Sequence, residues 1–170
     1  RLNPELAGPG ASVTDLGVYP LNTTRFLLDV EPVSVRATAS SDGELFDAVP
    51  DERAAFEVTF DDGTVAHCAA SQNAAFTAGL EIVGTEGAVR LAPGFFDGET
   101  QQLTLVRDQE RRTLSYDPVD QMTEEFAYVA HHLLAEAEMD PTGAHGLVDV
   151  ATIDAVYEAA ETDERVDVSW

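Results

Sequence analysis

The chain has 170 residues, 44% of them hydrophobic, enough for a packed core in a single domain-sized unit. It carries 32 acidic residues against 9 basic ones, a formal net charge of -23, and every cation other than histidine is an arginine. With no basic patch to meet phosphates, this balance excludes a nucleic-acid partner. The acids are spread singly or in pairs between apolar residues, as at Asp61-Asp62 and Glu124-Glu125, so they coat a folded surface and do not form a tail. Self-repulsion of this kind is relieved once the Debye length falls to about 3 Å in molar salt. The composition therefore reads as halophilic.

"RLNPELAGPG" (1–10) is a Pro- and Gly-rich loop. A helix of about four turns is predicted next, with Ser12 or Thr14 near its start. Pro20 should kink or restart it. At about 100° per residue, Tyr19 lies roughly 40° from Asp15, and Asn22 about 20° to the other side. Phe26 shares that stripe, and Val13, Leu16, Leu21 and Leu28 occupy the opposite, core-facing side.

Strand signals follow. "VSVRATAS" (33–40) alternates; "AAFEVTF" and "TVAHCAAS" flank the turn "DDG". "GLEIVGT" and "GAVRLA" form a second pair around "EG", and "QQLTLVR" and "RRTLSY" a third around "DQE". Two helices close the chain, at about 121–138 and 145–161, the second with Leu147, Val150, Ile153, Val156 and Tyr157 at helical spacing and Asp149 or the preceding glycine near its start. A terminal strand, "RVDVSW", ends it. The predicted class is α+β: a predominantly antiparallel open sheet of about six strands with helices packed on one face. The other face would meet water or a second copy.

The lone cysteine, Cys68, excludes an internal disulfide and reads as a core residue. No apolar run reaches the length of a membrane span and no signal peptide is visible, so a cytoplasmic protein with no membrane partner is expected. The first residue is not Met, and residue 1 is expected to be a cut point inside a longer protein.

Asp15, Tyr19 and Asn22 suit polyol binding and proton transfer. A carboxylate and an amide can hold vicinal hydroxyls. A tyrosine hydroxyl can relay a proton where a nearby cation lowers its pKa from about 10. On spacing alone, a solvated helix face in an acidic protein accounts for the same stripe. No metal is expected: among His67, His131, His132 and His145 no pair has the i, i+4 zinc spacing. "GTEGAVRLAPGFFDG" lacks a phosphate-loop lysine, and no G-x-G-x-x-G occurs, so this chain does not itself hold a dinucleotide by the usual route. Phe95-Phe96 is either a pocket wall or core.

"GASVTDLGVYPLNTTRFLL" resembles the opening of the C-terminal domain of Gfo/Idh/MocA oxidoreductases, a pattern like GGGALxDxGxYPxN. The match falls at Gly10, Ala11, Asp15, Gly17, Tyr19, Pro20 and Asn22, with a departure at Pro9. "FDDGTVA", "EIVGTEGAVRL", "FAYVAHHLLA" and "VDVATIDAVYEAAETDERVDV" resemble later stretches in order, so the likeness spans essentially the whole chain. It points toward members such as glucose-fructose oxidoreductase, dihydrodiol dehydrogenase and haloarchaeal D-xylose dehydrogenase.

The resemblance implies a C-terminal domain of the glyceraldehyde-3-phosphate dehydrogenase type over residues 1–170, with an N-terminal Rossmann domain absent from this chain. NADP or NAD would be bound mainly by that absent domain, whose E-K-P lysine would assist the tyrosine. Asp15 would bind substrate hydroxyls, Tyr19 would take the acid-base position, and Asn22 would be a further substrate contact. The implied reaction is oxidation of the C1 hydroxyl of an aldopyranose, D-xylose first, to a lactone. The implied partner is a sugar, with homo-oligomers formed through the sheet face. The isolated domain is expected to be inactive. Two alternatives stand beside this: a non-catalytic dimerisation or ligand-sensing module, and a cyclic diol dehydrogenase or keto-sugar reductase using the same residues.

Overall fold

A computed structural model describes residues 10–42, 44–95 and 98–170. Residues 1–9, with Pro9 of the motif, and Phe96 lie outside the described residues. The chain divides into two compact units, one running up to Ala74 and including Pro141–Trp170, the other Ala75–Asp140.

In the first unit a π-helical turn, Val13–Gly17, runs into helix α1, Val18–Leu28. The helix changes register where expected: Pro20 has no N–H for the carbonyl one turn back, and the widened turn lies just before it. Strands β1 (Pro32–Ser40), β2 (Arg53–Phe60), β3 (Val65–Ser71) and β8 (Val166–Asp167) form an antiparallel sheet in the order β3-β2-β1-β8. The register aligns Ala37, Phe56 and Cys68 on one face and Arg36, Glu57 and His67 on the other. The first face meets Val13 and Leu21 from the N-terminal helix, and Ile153, Val156 and Ala159 from the closing helix α3, Gly143–Thr162. Within this unit the described helices lie on that face, and His67 on the other is exposed.

The second unit holds β4 (Leu80–Gly84), β5 (Gly87–Ala92), β6 (Gln101–Arg107) and β7 (Glu110–Tyr116), paired in chain order, and helix α2, Gln121–Ala135. Its hairpins turn where predicted. Asp108 and Gln109 both take positive φ between β6 and β7, as a two-residue turn with right-handed strand twist requires.

The antiparallel α+β class is as expected. Among the described residues, however, the strands number eight in two sheets of four. The three hairpins form as read, but β3 and β4 do not pair; residues 72–79 between them carry no ladder. Two helical details also differ. Ser12 stands at the N-cap position, near the helix start as read, but makes no side-chain cap bond, and the Thr14 hydroxyl donates back to the Gly10 carbonyl. Helix α3 begins at Gly143 behind Thr142, whose hydroxyl accepts from the His145 N–H, so Asp149 lies in its second turn.

Candidate active site

The N-terminus of the first helix is fixed from outside its own sequence. The buried Asp51 carboxylate accepts the Ala11 N–H at 2.5 Å, the Val13 N–H at 2.8 Å and the Tyr157 hydroxyl at 2.8 Å. It thereby satisfies donors that a helix leaves orphaned in its first turn. Burial and the hydrogen bond to Asp51 push the Tyr157 hydroxyl above its ordinary pKa, so it stays a donor. Gly10 permits this approach: a Cβ there would lie 2.2 Å from the Tyr157 hydroxyl and 2.5 Å from Asp51 Oδ1. Gly17 seats the π-helical turn on the sheet, since a Cβ there would stand 3.1 Å from the Phe56 ring. Two glycines of the motif thus serve close packing under the polar stripe.

On that base, the stripe splits into differently held groups. Asp15 is half-buried in the π-helical turn, and its Oδ2 accepts from Gln72 Nε2 at 2.7 Å. Tyr19 is 45% exposed, in the first turn of α1. Phe26, on the same stripe, is exposed as well. Asn22 is turned toward α3: its amide nitrogen donates to Asp149 Oδ2 at 2.6 Å and lies 3.4 Å from His145 Nδ1. The apolar side packs as read, with Val13 and Leu21 buried and Leu28 against the core. Leu16 stays half-exposed.

Asp149 belongs to a buried ionic network that the sequence reading missed. Its Oδ1 accepts from Arg25 at 2.6 Å, while Arg25 also pairs with Glu31 at 2.8 and 3.1 Å and donates to the His145 carbonyl at 2.9 Å. Arg25 is almost fully buried, so its charge requires both carboxylates. The network ties α1 to α3 and to the start of β1 and fixes the Asn22 amide nitrogen inward. One signal was legible: Asp149 is a lone charge among the apolar residues of "GLVDVATI". The Gln72 contact had none, since it joins positions 57 residues apart.

Cys68 is buried, and burial alone pushes its thiol up to about 12, which makes it an inert core residue as expected. Among the described residues no group of three or more His, Cys, Asp or Glu side chains is placed to hold a metal ion. No helix of the described residues is long and apolar enough to cross a membrane.

Comparison with known proteins gives this arrangement its context. Residues 1–90 match the model of the GFO/IDH/MocA C-terminal domain. The chain is 47% identical over 166 residues to D-xylose 1-dehydrogenase [NADP(+)] of Haloarcula marismortui, covering 98% of this chain and 46% of the relative. It is 28% identical to D-xylose 1-dehydrogenase (NADP(+)) 2 of Haloferax volcanii, covering 99% of this chain and 50% of that one. Among solved structures, the aldose-aldose oxidoreductase of Caulobacter crescentus complexed with glycerol superposes with a TM-score of 0.89 at 27% identity, over 99% of this chain and 50% of that chain. The chain thus spans about half the length of the relatives it matches. With the motif, the antiparallel fold and the match over its first 90 residues in agreement, this chain belongs to the GFO/IDH/MocA family as a C-terminal domain.

Proposed function

We propose that residues 1–170 are the substrate-binding and oligomerisation domain of an NADP-dependent sugar dehydrogenase. Its full-length form oxidises the C1 hydroxyl of an aldopyranose, D-xylose first, to a lactone. The observation that carries this reading is the stripe on the first helix. A half-exposed Tyr19 stands one turn from an anchored carboxylate and one turn from an anchored amide, on a helix whose other side packs on the core through Leu21. The relative at 47% identity supports the choice of substrate and cofactor.

In this reading Asp15, its carboxylate held by Gln72, accepts hydrogen bonds from sugar hydroxyls. Asn22, with its amide nitrogen committed to Asp149, offers its carbonyl oxygen to a further hydroxyl. Tyr19 takes the proton of the C1 hydroxyl as general base. The nicotinamide cofactor does not fit this chain's own elements. Both sheets are antiparallel, and among the described residues no strand leads through a glycine-rich turn into a helix, the arrangement that holds a pyrophosphate. The cofactor, NADP or NAD, is assigned to an N-terminal Rossmann domain, and the isolated 170 residues are expected to catalyse nothing. Homo-oligomers form through a sheet face, and the site is cytoplasmic.

The test is cofactor reduction by the full-length enzyme in molar KCl, with a panel of aldoses and cyclic diols. Turnover with an aldose supports the reading. Turnover with diols only makes the protein a diol dehydrogenase, and none with any compound and either cofactor makes the domain a sensing or dimerisation module. Tyr19→Phe is expected to lower turnover by about 10² or more, the usual worth of a positioned acid-base group. Wild-type turnover in that variant removes Tyr19 from the chemistry. The halophilic reading has its own check: the melting temperature should rise from low to molar KCl as the charge of -23 is screened. A flat response would refute it.

A further inference from the structure

We infer that Gln72 is a positioning residue that sets the orientation of the Asp15 carboxylate, and through it the recognition of sugar hydroxyls; the inference rests on the assignment of Asp15 to substrate binding. Gln72 directly follows the last residue of β3, and its own backbone is held from two sides. Its N–H donates to the Glu52 carbonyl at 3.0 Å and to Ser12 Oγ at 3.2 Å, and that hydroxyl donates onward to the Glu52 carbonyl at 2.7 Å. Ser12 and Asp15 share one helical turn, so the sheet and the turn carrying Asp15 are joined at this residue. From the fixed backbone, the side-chain amide reaches Asp15 Oδ2 at 2.7 Å, with the Ala11 carbonyl 3.5 Å away.

Two arguments separate this contact from structural glue. The first turn of the helix is already anchored by Asp51, which takes the Ala11 and Val13 N–H groups, and by Ser12. The Gln72 amide adds little to that anchoring. What it does act on is the carboxylate itself, whose terminal χ2 has a broad preference of its own and is set by the partners it meets. The chemistry of the donor matters as well. A carboxylate that receives hydroxyl donors is best held by another donor, and the Gln72 amide N–H is one that adds no charge. A second carboxylate at the same place would oppose it. The side chain at 72 therefore has to be long, neutral and a donor.

The experiment uses the full-length enzyme with an aldose that it oxidises. In Gln72→Leu, KM for the sugar is expected to rise about tenfold, with kcat within about twofold and an unchanged melting temperature, the pattern of lost binding without lost chemistry. In Gln72→Glu, KM for the sugar is expected to rise at least as much, because a like charge in place of the amide donor pushes the Asp15 carboxylate out of position. That variant preserves side-chain size and carries the test if Gln72→Leu does not fold. Wild-type KM in both variants would overturn the inference, as would a lowered melting temperature with unchanged KM. Asp15→Asn separates the two levels. Wild-type kinetics in Asp15→Asn refutes the assignment of Asp15 itself, whereas an impaired Asp15→Asn beside unaffected Gln72 variants refutes the role of Gln72 alone.

Discussion

In the first unit Phe56, Val58 and Phe60 are sealed under two helices, Phe56 at 4% exposure. In the second, Phe126 of α2 stands 68% exposed, no residue of that helix is buried, and the leucines of the sheet are half-buried. The first unit also encloses charge, with Asp51 holding a helix end and Arg25 shared between Glu31 and Asp149. No buried ion pair occurs among the described residues of the second unit. A group that binds substrate has to be held to within a fraction of an ångström, which favours the unit with a closed core and satisfied polar groups. An apolar surface left half-open is suited instead to covering by another copy, the role proposed for the sheet face.

The sharpest way to break this contrast is a matched pair of truncations, read by denaturant unfolding of the 170-residue chain. Phe56→Ala should cost about 3–5 kcal/mol, the usual range for a buried aromatic. Phe126→Ala should stay within about 0.5 kcal/mol, as for an exposed surface position. A cost above about 1.5 kcal/mol for Phe126→Ala would mean that its face is covered and the two units are built alike.

Next in size are changes at the helix anchor. Asp51→Ala strands the Ala11 and Val13 N–H groups and should cost about 3 kcal/mol, since each buried donor left unpaired costs about 1–3 kcal/mol. Gly10→Ala should cost about 1–3 kcal/mol by overpacking against Tyr157 and Asp51. Under the proposed function both should weaken sugar binding in the full-length enzyme, because the anchor sets where the turn bearing Asp15 sits. Loss of stability with unchanged KM would separate the anchor from the site.

What was legible in the sequence follows the range of the interactions. The hairpins around "DDG", "EG" and "DQE" are local, and each formed where its turn residues stand. The register change near Pro20 is local too. The phase of α3 was legible only in part. Of the residues at helical spacing, Ile153 and Val156 are buried and Tyr157 partly so, but Leu147 and Val150 are exposed, and Val148, Asp149, Thr152 and Ala159 complete the buried face. Arg25 draws Asp149 inward, and the small Thr152 and Ala159 let the helix lie close on the sheet. A hydrophobicity count cannot register either effect. In the site, the stripe of Asp15, Tyr19 and Asn22 could be read from helical spacing, but the side chains that hold it come from 57 and 127 positions away, where sequence spacing carries no information.

The smallest expected effect concerns Cys68, and it tests whether the first unit's core is as dry as its burial implies. A thiol has an ordinary pKa of 9.0, and burial raises that of Cys68 to about 12 in the folded chain. Between those values the unfolded state has lost the proton and the native state keeps it. Stability therefore falls as pH rises from about 9 toward 12, because the native state binds more protons than the unfolded one. Cys68→Ala removes this contribution. Its difference in unfolding free energy from the wild type should be constant below pH 9 and narrow steadily above it, while Tyr157, also raised, contributes equally to both proteins. Denaturant unfolding at pH 7, 9 and 10.5 measures the difference directly. Parallel curves across that range would mean that water reaches Cys68 and that the core under α1 and α3 opens more readily than its packing suggests.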